Sequence, residues 1–164
     1  MTQKSTDFFT SIGIGVAAGL IGTGAMMAVR SFDQKYAPKT VPKLRQDPAA
    51  FLLHKAQRAG DFPTSIPKPI EKTAAAALHA GYGTLLSVLY SCCRGRRANR
   101  STLVDGIVLG TAAYGVSQIG WFPATGLTEP VSKQEFPEVA GELIRHIVYG
   151  VSTAAAFSVI NLVV

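Results

Sequence analysis

Two stretches of this chain repeat one combination of reactive side chains. "LHAGYG" (Leu78 to Gly83) and "RHIVYG" (Arg145 to Gly150) each carry a histidine, a tyrosine three places on and a glycine four places on, 67 residues apart. A further step of eleven from each histidine adds Tyr90 and Phe157. On a helix these offsets share one face. Paired imidazoles on such faces could serve in three ways. The plainest is packing, in which His79 and His146 hydrogen-bond to Ser, Thr, Tyr or a freed carbonyl inside a bundle. Glu142, four residues before His146, is placed to satisfy it. The second is a haem b held between the two histidines, with Gly83 and Gly150 making room for the porphyrin. The third is a polar path for a proton or small solute through His79, His146, Glu142 and Asp105, beside Tyr82 and Tyr149. No Cys-x-x-Cys-His attachment motif is present, and packing ranks first.

The stretches that carry these residues are long and uncharged. Charged residues are 16% of 164, against roughly 25% in a soluble domain. They are absent from 8–29, 73–93 and 147–164, and 103–122 contains only Asp105. Each run approaches the ~20 residues that cross a hydrocarbon core. A soluble four-helix bundle would need a polar stripe on every helix, and here only Ser, Thr, Tyr and Gly interrupt the apolar residues. The sequence therefore predicts an all-α polytopic membrane protein, one domain over 1–164, with spans at about 8–29, 73–93, 103–122 and 143–164. The first run is longer than the roughly 7–15 residues of a signal-peptide core and is expected to be a retained span.

Between the spans lie an interfacial strap at 30–72, a tight basic loop "RGRRANRST" (94–102) and a second strap at 123–138. In the first strap, Asp47 can cap, Pro48 suits a first helical turn and Gly60 a C′ position, predicting a short amphipathic helix on the membrane surface. "YAPKTVPK" and "FPTSIPKP" around it read as extended, proline-stiffened chain. Ser132 and Glu135 have capping-box spacing, which would start the fourth helix before it enters lipid. Arg94, Arg96, Arg97 and Arg100 favour a cytoplasmic tight loop with cytoplasmic termini. The nine basic residues of the first strap argue the opposite by number.

The two halves also share glycine pairs four apart, Gly15 and Gly19 in "GVAAG", Gly106 and Gly110 in "GIVLG". Such pairs let helices approach until backbones nearly touch. With the His-Tyr-Gly match they predict a 2+2 pseudo-repeat in which both histidines enter the same leaflet. The remaining candidates have plain roles. Asp105 is expected to cap its helix, Arg145 to snorkel to the interface, Trp121 to join an aromatic belt and Met26 and Met27 to pack. Glu129, Glu135 and Glu138 form an acidic strip that can face the basic first strap. Cys92 and Cys93 make no disulfide framework or zinc site.

"GLIGTGAMMAVRSFD", the proline-rich strap after it, "HAGYGTLLSVLY", "IGWFPATGL" and "IRHIVYGVSTAAAF" together resemble small four-helix bacterial inner-membrane proteins of the YagU-like kind. The resemblance runs from about Gly15 onward and implies a bacterial inner-membrane location with no assigned chemistry.

The net charge of +6 does not point to nucleic acid, because the basic residues flank apolar spans where lipid phosphate is nearer. No phosphate loop, His-Glu-x-x-His or Gly-x-Ser-x-Gly occurs, and no enzyme is expected. The function expected from sequence is a small accessory or scaffold protein that binds another membrane protein, or a second copy, through glycine-rich helix faces, with no cofactor. The bis-His haem carrier and the small transporter are its alternatives.

Overall fold

The structure, a computed structural model, describes residues 2–45, 47–60, 67–94 and 101–163. It is all-helical, with no strand among the described residues. Helix α1 (Thr2–Tyr36) runs unbroken until Pro38, which cannot continue it and opens a short 3₁₀ turn, Pro38–Thr40. Helix α2 (Pro48–Gly60) starts as its sequence signals: the Asp47 carboxylate accepts from the Ala50 amide at 3.1 Å, and Pro48 fills the first turn. Helices α3 (Lys68–Arg94) and α6 (Phe136–Val163) each place a proline, Pro69 and Pro137, in the first turn.

Between α3 and α6 the expected third span is not one regular helix. Helix α4 (Thr102–Tyr114) passes into a π-helical segment, Gly115–Trp121, and closes with one turn, α5 (Phe122–Ala124). Ser101 caps α4, its side chain accepting from the Val104 amide. Asp105, assigned that role from sequence, instead forms an ion pair with Arg94 at 3.2 Å. The capping box at Ser132 does not form either. Ser132 lies in a 3₁₀ turn, Val131–Lys133, and α6 begins at Phe136.

Helix α1 packs along both α3 and α6, α4 packs along α6, and α2 covers part of α3. The repeated glycines set the first two kinds of contact. A methyl group at Gly19 would stand 2.8 Å from the Thr84 Cα, and one at Gly15 would stand 2.9 Å from the Val88 Cα. At Gly106 and Gly110 it would meet the Cα atoms of Val151 and Ile147 at 2.5 and 2.7 Å. Only hydrogen on these α-carbons permits such approach. Both pairs run antiparallel, since contact positions descend on one helix as they rise on the other. The register differs by one turn: Gly19 meets the residue five beyond His79, and Gly110 the residue one beyond His146.

The halves are also joined unequally. Helices α1 and α6 pack closely, whereas α3 and α4 scarcely touch. Where α3 meets the second half, equivalent positions pair: Tyr90 and Phe157 lie edge to face at 5.6 Å, and the Tyr149 hydroxyl donates to the Gly83 carbonyl at 2.5 Å. Arg94 stacks over both Tyr90 and Phe157, donates to the Tyr90 hydroxyl and pairs with Asp105, closing the tight-loop end of the α3–α4 seam. Residues 95–100, most of the tight loop, lie outside the described residues, as do 61–66 of the expected extended chain.

Polar side chains share the interior with two small apolar clusters, one of Ile14, Ala18 and Phe157 and one of Met26, Ala113 and Tyr149. The largest fully buried side chains are Arg145, Thr153, Ser87 and Ser91. Leu85, Leu89, Val104, Val108, Ile119, Ile144 and Val159 are each more than half exposed. Among the described residues, two helical segments, Phe8–Tyr36 and Phe136–Val163, are long and apolar enough to cross a membrane, and α3, an expected span, is not one of them. The break at Tyr114 leaves α4 too short to count by itself.

Candidate functional site: a strap-roofed cavity

At the strap end the α3–α4 seam widens into a cavity of about 110 Å³. Its walls come from Thr23, Met26 and Arg30 of α1, and from His79, Tyr82, Gly83 and Leu86 of α3. Ala113 of α4, Ser117, Gln118 and Trp121 of the π segment, and Glu142, His146 and Tyr149 of α6 complete them. The first strap and the start of α2 roof it with Pro42, Leu44, Pro48 and Leu52. His79 and His146 therefore share one cavity at one end of the bundle, as the repeat predicts.

The histidines differ in state. His146 is held at both ring nitrogens. Its Nδ1 lies 2.8 Å from the Glu142 carbonyl oxygen, which can only accept, so Nδ1 carries a proton. Its Nε2 faces the Ser117 hydroxyl at 3.1 Å. The Tyr114 ring meets the imidazole edge to face at 5.6 Å. The expected role of Glu142 is thus filled by its backbone, while its carboxylate turns elsewhere: Oε1 accepts from Gln118 Nε2 at 3.2 Å and Oε2 from Arg145. His79 is half-buried and makes no hydrogen bond among the described residues.

Arg145 does not snorkel. It has no exposed surface and points inward, to Asp33 Oδ2 at 2.5 Å, Glu142 Oε2 at 2.5 Å and the Thr40 carbonyl at 2.8 Å. One guanidinium thus ties α1, the first strap and α6 together. The strap can lie this close because of Gly141, where a methyl group would stand 2.6 Å from the Thr40 Cβ. A second strap-to-strap link is the exposed pair Arg45–Glu129 at 2.8 Å, with the Arg45 amide donating to the Leu127 carbonyl. The acidic strip does face the basic strap, at Glu129.

Among the described residues, three of the lining side chains carry a buried polar atom with no hydrogen-bond partner: Thr23 Oγ1, Tyr82 Oη and Gln118 Oε1. The structure does not favour bis-His haem. His146 has no free nitrogen for iron, and the cavity is well below the roughly 300–1,000 Å³ of pockets that take drug-sized ligands. The polar path is also divided, because Asp105 sits with Arg94 at the far end of the seam. No cluster of three or more His, Cys, Asp or Glu suited to a metal occurs among the described residues.

Sequence reasoning missed Asp33, Thr40, Ser117, Gln118 and Gly141. Gln118 carried a usable signal, as an amide inside an otherwise apolar run. The π segment, which brings Ser117 and Gln118 to the wall, carried none, although such segments recur at functional sites. Comparison with known proteins found no protein family, no curated protein and no solved structure that matches this chain.

Proposed function

We propose that this chain is a four-span bacterial inner-membrane protein of the YagU-like kind, with the tight loop and both ends of the chain cytoplasmic. It works as an accessory binding protein, not an enzyme, and holds a small molecule in the strap-roofed cavity. The inverted polarity of α3 and α4, with leucines and valines outward and Ser87, Ser91, Ser117 and Gln118 inward, supports lipid around all four helical stretches. The observation that carries binding is the cavity itself, which brings the titratable side chains Arg30, His79 and Glu142 together among apolar ones.

Docking of another membrane protein through Gly15, Gly19, Gly106 and Gly110 has less support, since the chain's own helices occupy all four. A partner or second copy would meet the outer apolar surface instead. Transport has less support than binding because Asp105 pairs with Arg94 at the other end of the seam, away from His79 and His146.

Native mass spectrometry of protein extracted from its own membrane in mild detergent tests this. The expected spectrum contains one small-molecule adduct per chain, reduced in an Ala113→Leu variant that fills the cavity. A bare chain accompanied by a stoichiometric partner protein would transfer the function to the scaffold reading.

A further inference from the structure

Folding segregates charge at the strap end of the bundle. The acidic side chains there are withdrawn. Asp33 and Glu142 pair with Arg145, Asp47 caps α2, Glu129 pairs with Arg45, and Glu138 is only 8% exposed. Glu135 stays exposed, the one such carboxylate at this end without a partner among the described residues. The basic side chains go the other way. Lys35 at the end of α1, Lys39 and Lys43 on the first strap, and Lys55 and Arg58 on α2 are all exposed. None of the five forms an ion pair among the described residues.

Large apolar side chains stand open beside these cations. The Lys35 ammonium lies 5.0 Å over the Tyr36 ring, and Tyr36 meets Phe32 at 4.7 Å between ring centroids. Both rings are more than 60% exposed, Phe32 at 61% and Tyr36 at 62%. On α2, Leu52 is 42% exposed and precedes Lys55 by three residues, which puts them on one face. Helix α2 itself packs on the flank of α3.

Rings and basic side chains stand together in this way at the headgroup depth of a bilayer. An acidic soluble partner answers the charge alone. An anionic phospholipid answers both features, with phosphate for the cations and the start of an acyl chain for the rings.

We propose that the strap end is a docking surface for anionic phospholipid. Headgroups lie against Lys35, Lys39 and Lys43 on one side and against Lys55 and Arg58 on the other, while Phe32, Tyr36 and Leu52 meet the upper acyl chains. Each basic side chain held near an anionic leaflet strengthens binding about fivefold. The inference rests on the membrane placement proposed above and not on the cavity.

Native mass spectrometry with defined lipids tests it. The full chain in mild detergent is mixed with equal amounts of phosphatidylglycerol and phosphatidylcholine of matched acyl chains, and the bound lipids are counted. Phosphatidylglycerol is expected to bind about tenfold more often at low ionic strength, with the preference shrinking as salt rises. A variant combining Lys35→Gln, Lys39→Gln, Lys43→Gln, Lys55→Gln and Arg58→Gln should lose the preference with its helical circular dichroism unchanged, because all five side chains are exposed. A second variant, Arg96→Gln with Arg97→Gln and Arg100→Gln, should keep it. Loss of the preference in that second variant alone would move the lipid to the tight loop and overturn the assignment. Equal binding of the two lipids would overturn it as well, and so would displacement of phosphatidylglycerol by inorganic phosphate. A small-molecule adduct that persists without any lipid preference would leave the cavity reading standing, so the two fail separately. A chain that stays monodisperse without detergent would remove the membrane placement, and this surface with it.

Discussion

Arg145 sits with no solvent contact between two carboxylates, Asp33 and Glu142, and a strap carbonyl. Removing its charge strands both carboxylates in a low-dielectric interior, which costs about 3–5 kcal/mol for a broken buried pair. Arg145→Met is expected to lower the unfolding midpoint in detergent sharply, and Arg145→Met with Glu142→Gln to recover part of the loss. Arg145→Lys should rescue little, because one ammonium cannot span three acceptors held by a planar fork. Tyr149→Phe removes a single cross-half hydrogen bond to Gly83, and a loss of about 1 kcal/mol is expected in the same assay. These sites differed in how legible they were. The histidines and tyrosines stood out because their spacing repeats. Arg145 did not, because its chief partner Asp33 lies 112 residues away and local sequence cannot announce so distant a pairing.

Helix packing here rests on glycine, and the glycines divide into two kinds. At Gly106 an added methyl group would press on the Val151 backbone, which cannot rotate aside as a side chain can. Gly106→Ala is expected to cost about 1–3 kcal/mol, the usual range for overpacking. Gly13 has open space around it, and Gly13→Ala should stabilise by up to about 1 kcal/mol through helix propensity alone. Measuring both midpoints side by side checks the contact geometry. Sequence located α2 well because three signals agree at its ends: an acceptor at Asp47, a proline at Pro48 and Gly60. It misplaced the start of α6, where Ser132 and Glu135 match a capping pattern but Pro137 sets the first turn at Phe136. The passage from α-helix to π-helix at Gly115 depends on tertiary packing, and so it left no periodic trace.

The bundle as assembled turns many large apolar side chains outward, and that distribution makes a topological prediction. If all four stretches cross the bilayer, the exposed Cys92 and Cys93 lie on the opposite face from both straps. In intact cells an impermeant maleimide should leave Cys92 and Cys93 unlabelled. After both are replaced by serine, Ser132→Cys should label without permeabilisation. Labelling of both positions from one side would reduce the number of spans. The parallel pairing of the halves was readable from the repeat, since it needs only matching offsets. Its asymmetry was not: the close α1–α6 contact and the open α3–α4 seam follow from how the straps fold over one end, which no short motif encodes.

The threefold grip of Arg145 also constrains the order of biogenesis. In the proposed membrane setting, Asp33 leaves the ribosome more than a hundred residues before its guanidinium, so the newly made first hairpin would carry an unneutralised carboxylate near the bilayer until α6 arrives. The last helix is then the one that completes the charge balance, and a chain interrupted before Phe136 is expected to be recognised by membrane proteases and cleared, which pulse-chase would reveal.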